Sequence, residues 1–108
     1  KEALRILEAR SHYFAEKMGL TCQEIRLGCY RSRWGSCSKS GVLSYHWPLV
    51  LAPKAVLDYV VVHEVAHLKH LNHSQAFWAL VAVWMPGYEA SQLWLKRKGE
   101  SLLLKLEA

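Results

Sequence analysis

The stretch Tyr59-Val60-Val61-Val62-His63-Glu64-Val65-Ala66-His67-Leu68-Lys69-His70-Leu71-Asn72-His73 decides the fold. It belongs to one long, mostly buried helix that the sequence predicts from Pro53 to about His70, with Val56, Leu57, Val60, Val61 and Leu68 as its apolar surface. Pro53 suits the first turn of such a helix, where its missing N–H is not needed. His63 and His67 are four residues apart, so both imidazoles stand on one face, close enough to share a metal ion. Glu64 sits beside them, where its carboxylate reaches a water on the metal without ligating the metal itself.

A catalytic zinc takes three protein ligands and keeps a fourth position for water, so a third donor is expected. His73, six residues beyond His67, is the first choice. Its spacing works if the helix stops just after His70 and the chain folds back, a reversal for which Asn72 can adopt the left-handed conformation. His70 and Glu89 are the alternatives: the first would stay on the helix, and the second would come from the following helix. If the imidazoles were only packed polar residues, several hydrogen-bonding groups would be buried without a shared partner, at a cost that a metal removes. The expected cofactor is therefore Zn2+, although three imidazoles also suit other transition ions.

Outward from this helix the order is helix, a few strands, then helices. Apolar residues from Leu4 to Met18 recur at near-helical spacing and Gly19 stops them, which predicts a first helix over Glu2–Met18. Ile25 and Leu27 alternate with Glu24 and Arg26 inside a half-buried strand expected within Cys22–Tyr30. The segment 31–41 is rich in turn formers, Val42–Trp47 is extended again, and Pro48 closes that strand or lies at its edge. Ser74 is placed to cap a helix through Trp84, in which Phe77, Trp78, Val81 and Trp84 form a core stripe. Pro86-Gly87 breaks it, and Tyr88 to about Lys98 is helical again.

With 108 residues, 52% hydrophobic and 21% charged, the chain is expected to form one domain over residues 1–108. A net charge of +5 and a pI near 9.3 favour anionic partners, but the tight run Lys96-Arg97-Lys98 reads as a solvated helix face. Cys22, Cys29 and Cys37 cannot all pair and form no Cys-x-x-Cys, which points to a reducing, cytoplasmic setting. The most apolar stretch, Ala55–Ala66, is interrupted by Asp58, His63 and Glu64 and is too short to span a bilayer, so no membrane association is expected. No signal peptide is visible, and the chain begins at Lys1 without a Met.

Two blocks carry a family resemblance. One is Arg33-Trp34-Gly35-Ser36-Cys37-Ser38 followed by Val42 to Pro48; the other runs from Tyr59 through the His-Glu-x-x-His motif to Ser74 and on to Phe77-Trp78. In these the chain resembles the YgjP-like metallopeptidase family, related to the WLM and SprT-like zinc peptidases. The resemblance implies an α+β, zincin-like fold with a small, mostly antiparallel sheet beside the long active-site helix. It implies zinc on His63, His67 and His73, and Glu64 as the base. The chain departs from the family pattern at Gly87, where an acidic residue is common, and at Leu71, where proline is frequent. It also implies that the N-terminal half of a usual member is absent, so the domain would be truncated there.

The expected activity is peptide-bond hydrolysis of a peptide or protein substrate by a zinc-bound water that Glu64 activates. Tyr88, Arg33 and His46 are candidates to steady the oxyanion or touch substrate. The block from Arg33 to Cys37 reads either as a substrate-facing turn leading to an edge strand or as a core anchor on Trp34, and Cys37 reads as a small buried hydrophobe. Two alternatives stay open. The basic residues Arg31, Arg33 and Lys39 would suit a metal-dependent nucleoside triphosphate pyrophosphohydrolase, and the overall positive charge would suit a nucleic-acid-associated module of SprT-like type.

Overall fold

In the computed structural model, which describes residues 2–30 and 33–105 with side chains as far as Lys98, the chain begins with helix α1 (Glu2–Met18). It ends where local chemistry dictates: Gly19 takes φ +71, and the Leu20 N–H returns to the Ala15 carbonyl at 2.8 Å. Leu7, Ser11, Phe14 and Ala15 form its buried face. Two polar contacts fix that face. The Ser11 and Tyr45 hydroxyls meet at 2.9 Å, and the Arg10 guanidinium grips both Asp58 carboxylate oxygens at 2.9 and 3.0 Å.

Three strands follow: β1 (Glu24–Gly28), β2 (Gly35–Cys37) and β3 (Val42–His46), in the spatial order β1-β3-β2. The sheet is mixed, not mostly antiparallel. β2 and β3 make an antiparallel pair with Gly35 opposite Tyr45, whereas β1 runs parallel to β3 with Gly28 opposite His46. β1 ends and β2 begins at the C-terminal end of β3, on opposite sides of it. β2 lies inside the stretch that reads as turns: Gly-Ser-Cys has little strand preference of its own, and pairing with β3 imposes it. Pro48 is buried in a short 3-10 helix (Trp47–Leu51) that follows β3.

Helix α2 (Lys54–Ala66) starts just after Pro53 and is the centre of the molecule, with Val61, Val62, Val65 and Ala66 fully buried. It packs on α1, on β2 and on the two later helices, α3 (Gln75–Trp84) and α4 (Tyr88–Lys105). It ends at Ala66, a turn earlier than the expected His70. The chain there tightens into turns, Leu68 N–H to Val65 carbonyl at 2.9 Å and Lys69 N–H to Ala66 carbonyl at 3.1 Å. Asn72 does not take the left-handed conformation, since no non-glycine residue described has positive φ. Ser74 caps α3 as expected, its hydroxyl accepting the Phe77 N–H at 3.2 Å, and Gly87 at φ +77 turns the chain into α4. Phe77 and Val81 are core, but Trp78 and Trp84 are only half-buried. No helix among the described residues is long and apolar enough to cross a membrane.

The Arg10–Asp58 pair is bidentate, with side-chain exposures of only 26% and 12%, so it belongs with charge-assisted bonds that water screens poorly. Replacing Asp58 by Ala leaves the guanidinium half-buried and unmatched, and should lower the unfolding free energy by about 1.5–3 kcal/mol in urea melts. A loss under about 0.5 kcal/mol would place this pair among ordinary surface ion pairs.

Candidate metal centre

The last turn of α2 presents His63 and His67 on one face, and the chain reversal after Ala66 brings His73 back against them. One nitrogen from each ring lies within 4.8 Å of the others, and His63 Nε2 and His73 Nε2 are 3.3 Å apart. Two nitrogens about 2.0–2.1 Å from a tetrahedral zinc would stand about 3.3 Å from each other, so the spacing fits that ion. His70 and Glu89 are not part of this cluster among the described residues. His70 contributes through its backbone instead: the His67 Nδ1–H donates to its carbonyl at 2.8 Å, which leaves Nε2 of that ring facing the other two. His63 Nδ1 lies 3.4 Å from the Tyr59 hydroxyl, which orients it in the same sense.

Aromatic rings hold the imidazoles in place. Phe77, fully buried, stacks on His67 with centroids 4.3 Å apart and meets His63 and His73 edge to face. Trp78 stacks on His73 at 5.8 Å, Tyr88 stacks on Trp78 at 5.3 Å, and Tyr59 stacks on Tyr88 at 6.0 Å. Tyr88 is thus part of an aromatic row beside the imidazoles. Burial, with His67 and His73 close by, holds His63 down at about 4, and burial likewise lowers His67. Both rings are neutral near pH 7, the form that binds metal ions.

Glu64 is buried on the same helix, and its carboxyl is pushed up to about 8 by burial, with the charge of Arg33 acting in the opposite direction. It approaches β2 so closely that a Cβ at Gly35 would stand 3.0 Å from Glu64 Cγ and 3.2 Å from Oε2. Close approach, more than a turn, is what this glycine permits. A mainly apolar cavity of about 230 Å3 opens beside the carboxyl, lined by Trp34, Gly35, Tyr59, Val60, His63, Glu64 and Leu95.

The remaining expectations divide. Arg33 is near enough to influence Glu64, and its guanidinium lies over the Tyr30 ring at 4.3 Å. Trp34 serves both readings, half-buried against His46 and lining the cavity. His46 is fully buried and does not line the cavity. Its ring accepts the Tyr30 N–H instead, so it is not placed to meet substrate. Lys39 lines a separate, more polar recess of about 170 Å3 that reaches His67, and Arg31 lies outside the described residues. Tyr59, Phe77 and Trp78 escaped the sequence reading as parts of the site. For Tyr59 the signal existed, since it precedes His63 by four residues on one helix.

The family model described as YgjP-like, metallopeptidase domain, matches residues 1–98. The chain belongs to the YgjP-like metallopeptidase family. The YgjP-like chain is also similar to the solved structure of the metallopeptidase zymogen of Pyrococcus abyssi abylysin, with a TM-score of 0.72 and 21% identity over 87% of this chain and 93% of that one. At that identity the likeness is one of fold, α+β and zincin-like. No curated protein matches the chain.

Cys37 is half-buried on β2, and burial together with the charge of Glu64 pushes its thiol up to about 11. Little thiolate is present there at pH 8. Iodoacetamide at that pH should therefore alkylate the exposed Cys29 at least about tenfold faster than Cys37, read by peptide mapping over time. Equal rates would contradict the burial argued for β2.

Proposed function

We propose that this YgjP-like domain is a zinc-dependent peptidase that hydrolyses peptide bonds, with His63, His67 and His73 as the metal ligands and Glu64 as the general base. One observation carries the reading: three imidazole nitrogens lie within 4.8 Å of one another, on the helix whose buried Glu64 opens onto an adjacent cavity. Zinc held there would supply a Lewis acid that acidifies water and polarises the scissile carbonyl.

The chain's own residues do the rest. Glu64 takes a proton from the attacking water and passes it to the leaving amine, a task suited to a carboxyl whose burial raises its proton affinity. Phe77, the His70 carbonyl and the Tyr59 hydroxyl keep the imidazoles aimed, so little reorganisation is left for the reaction itself. The cavity of about 230 Å3 between Trp34 and Leu95 is smaller than the pockets of about 300–1,000 Å3 that hold drug-sized ligands, and suits one apolar side chain of a peptide. The free thiols of Cys22, Cys29 and Cys37 support a reducing, cytoplasmic location as part of the same proposal.

Metal content by mass spectrometry tests the ligand set. Wild type should carry about one zinc per chain, His73→Ala should lose it, and Glu64→Gln should keep it while cleaving a mixed peptide library about 10²–10⁴-fold more slowly. A zinc-loaded wild type that cleaves no peptide, or a Glu64→Gln variant as active as wild type, would overturn the mechanism; zinc retained in His73→Ala would move the third ligand elsewhere.

A further inference from the structure

β1 ends and β2 begins on opposite sides of the C-terminal end of β3, and His46 is the last residue of that strand. It binds a residue on each side. Its backbone N–H donates to the Trp34 carbonyl at 2.9 Å, and its imidazole Nδ1 accepts the Tyr30 N–H at 2.9 Å. The ring also packs edge to face with Trp34, centroids 5.3 Å apart, and lies 6.3 Å from the Tyr30 ring.

This imidazole is fully buried, and its Nε2 has no hydrogen-bond partner among the described residues. A leucine would fill much of the same space without leaving a polar atom unpaired. What the imidazole adds is an acceptor for the Tyr30 N–H, a backbone donor that β1 no longer pairs because the strand has ended at Gly28. Since Nδ1 accepts, the proton of the neutral ring sits on Nε2. Burial lowers the proton affinity of His46 and favours that neutral form.

The residues seated by these bonds are the ones that face the site. Trp34 and Gly35 line the cavity beside Glu64, and Arg33, lying over Tyr30, is the cation whose charge reaches that carboxyl. We propose that His46 is a positioning residue: by holding Tyr30 and Trp34 across the end of β3 it sets where Trp34, Gly35 and Arg33 stand against Glu64. Its effect on substrate rests on the peptidase reading, whereas the seating of the chain does not.

The test compares wild type, His46→Leu and His46→Asn in the full chain. Asn carries its amide oxygen two bonds beyond Cβ, as His carries Nδ1, whereas Leu has a methyl there. Long-range nitrogen–proton spectra of wild type should report the Nε2–H tautomer for His46. His46→Leu should speed exchange of the Tyr30 amide about tenfold or more and shift the Trp34 indole signal. With zinc content unchanged, it should raise KM for a peptide several-fold while kcat stays within about twofold. His46→Asn should restore both the amide protection and KM. An Nδ1–H tautomer, an equally protected Tyr30 amide in His46→Leu, or an Asn variant that behaves as Leu does would overturn the proposal. If His46→Leu does not fold, the tautomer and the Asn variant decide. If wild type cleaves no peptide, the peptidase reading fails, and amide exchange and the tautomer still judge His46.

Discussion

At the end of α2 the His67 Nδ1–H donates to the carbonyl of His70 at 2.8 Å, three residues on. The bond ties a side chain of the helix to the backbone of the reversal that follows. With it in place the ring has one nitrogen committed to the protein and the other turned toward His63 and His73. Continuing α2 beyond His70 as far as residue 74, whose N–H would then take that carbonyl, would carry the chain away from the site, so His73 would have no short path back. The early end of α2, the convergence of the three rings and the start of α3 at Gln75 therefore belong to one local geometry, with Phe77 as its floor.

Much of this was legible in the sequence wherever local chemistry decides. Spacing on a helix is rigid, so His63, Glu64 and His67 could be placed together from their numbers, and Gly19, Ser74 and Pro86-Gly87 marked boundaries because each residue type has a backbone reason to stand there. The end of α2 was not legible, because the bond from the His67 ring to the His70 carbonyl forms only in the folded molecule and residue spacing does not announce it. Nor was β2, whose Gly-Ser-Cys has no strand signature, or the direction of β1, since alternation of Ile25 and Leu27 is the same for parallel and antiparallel neighbours. Residue type alone put Tyr88, Arg33 and His46 on one footing. The structure separates them into a ring in an aromatic row, a cation acting on Glu64 and a buried brace for the chain above β3.

Electrostatics and packing are combined differently at the two ends of the site. His63 and His67 lie against aromatic faces, and burial there disfavours their protonated forms. Glu64 is also buried, but the charge of the exposed Arg33 offsets part of the penalty. Neutral nitrogen donors and a carboxyl with raised proton affinity thus arise from the same shortage of solvent, acting on groups of opposite charge type.

The approach of β2 to Glu64 has an evolutionary consequence. At Gly35 even a methyl group would press on the Glu64 side chain at 3.0 Å and on the Ser44 carbonyl at 3.1 Å, so a larger residue on this wall of the cavity is accommodated only if the base shifts by a few tenths of an ångström. Leu95 on α4 and Trp34 before β2 line the same space from other directions and are free of that constraint. Changes in what the cavity accepts are therefore made with less disturbance of the base at Leu95 and Trp34 than at Gly35.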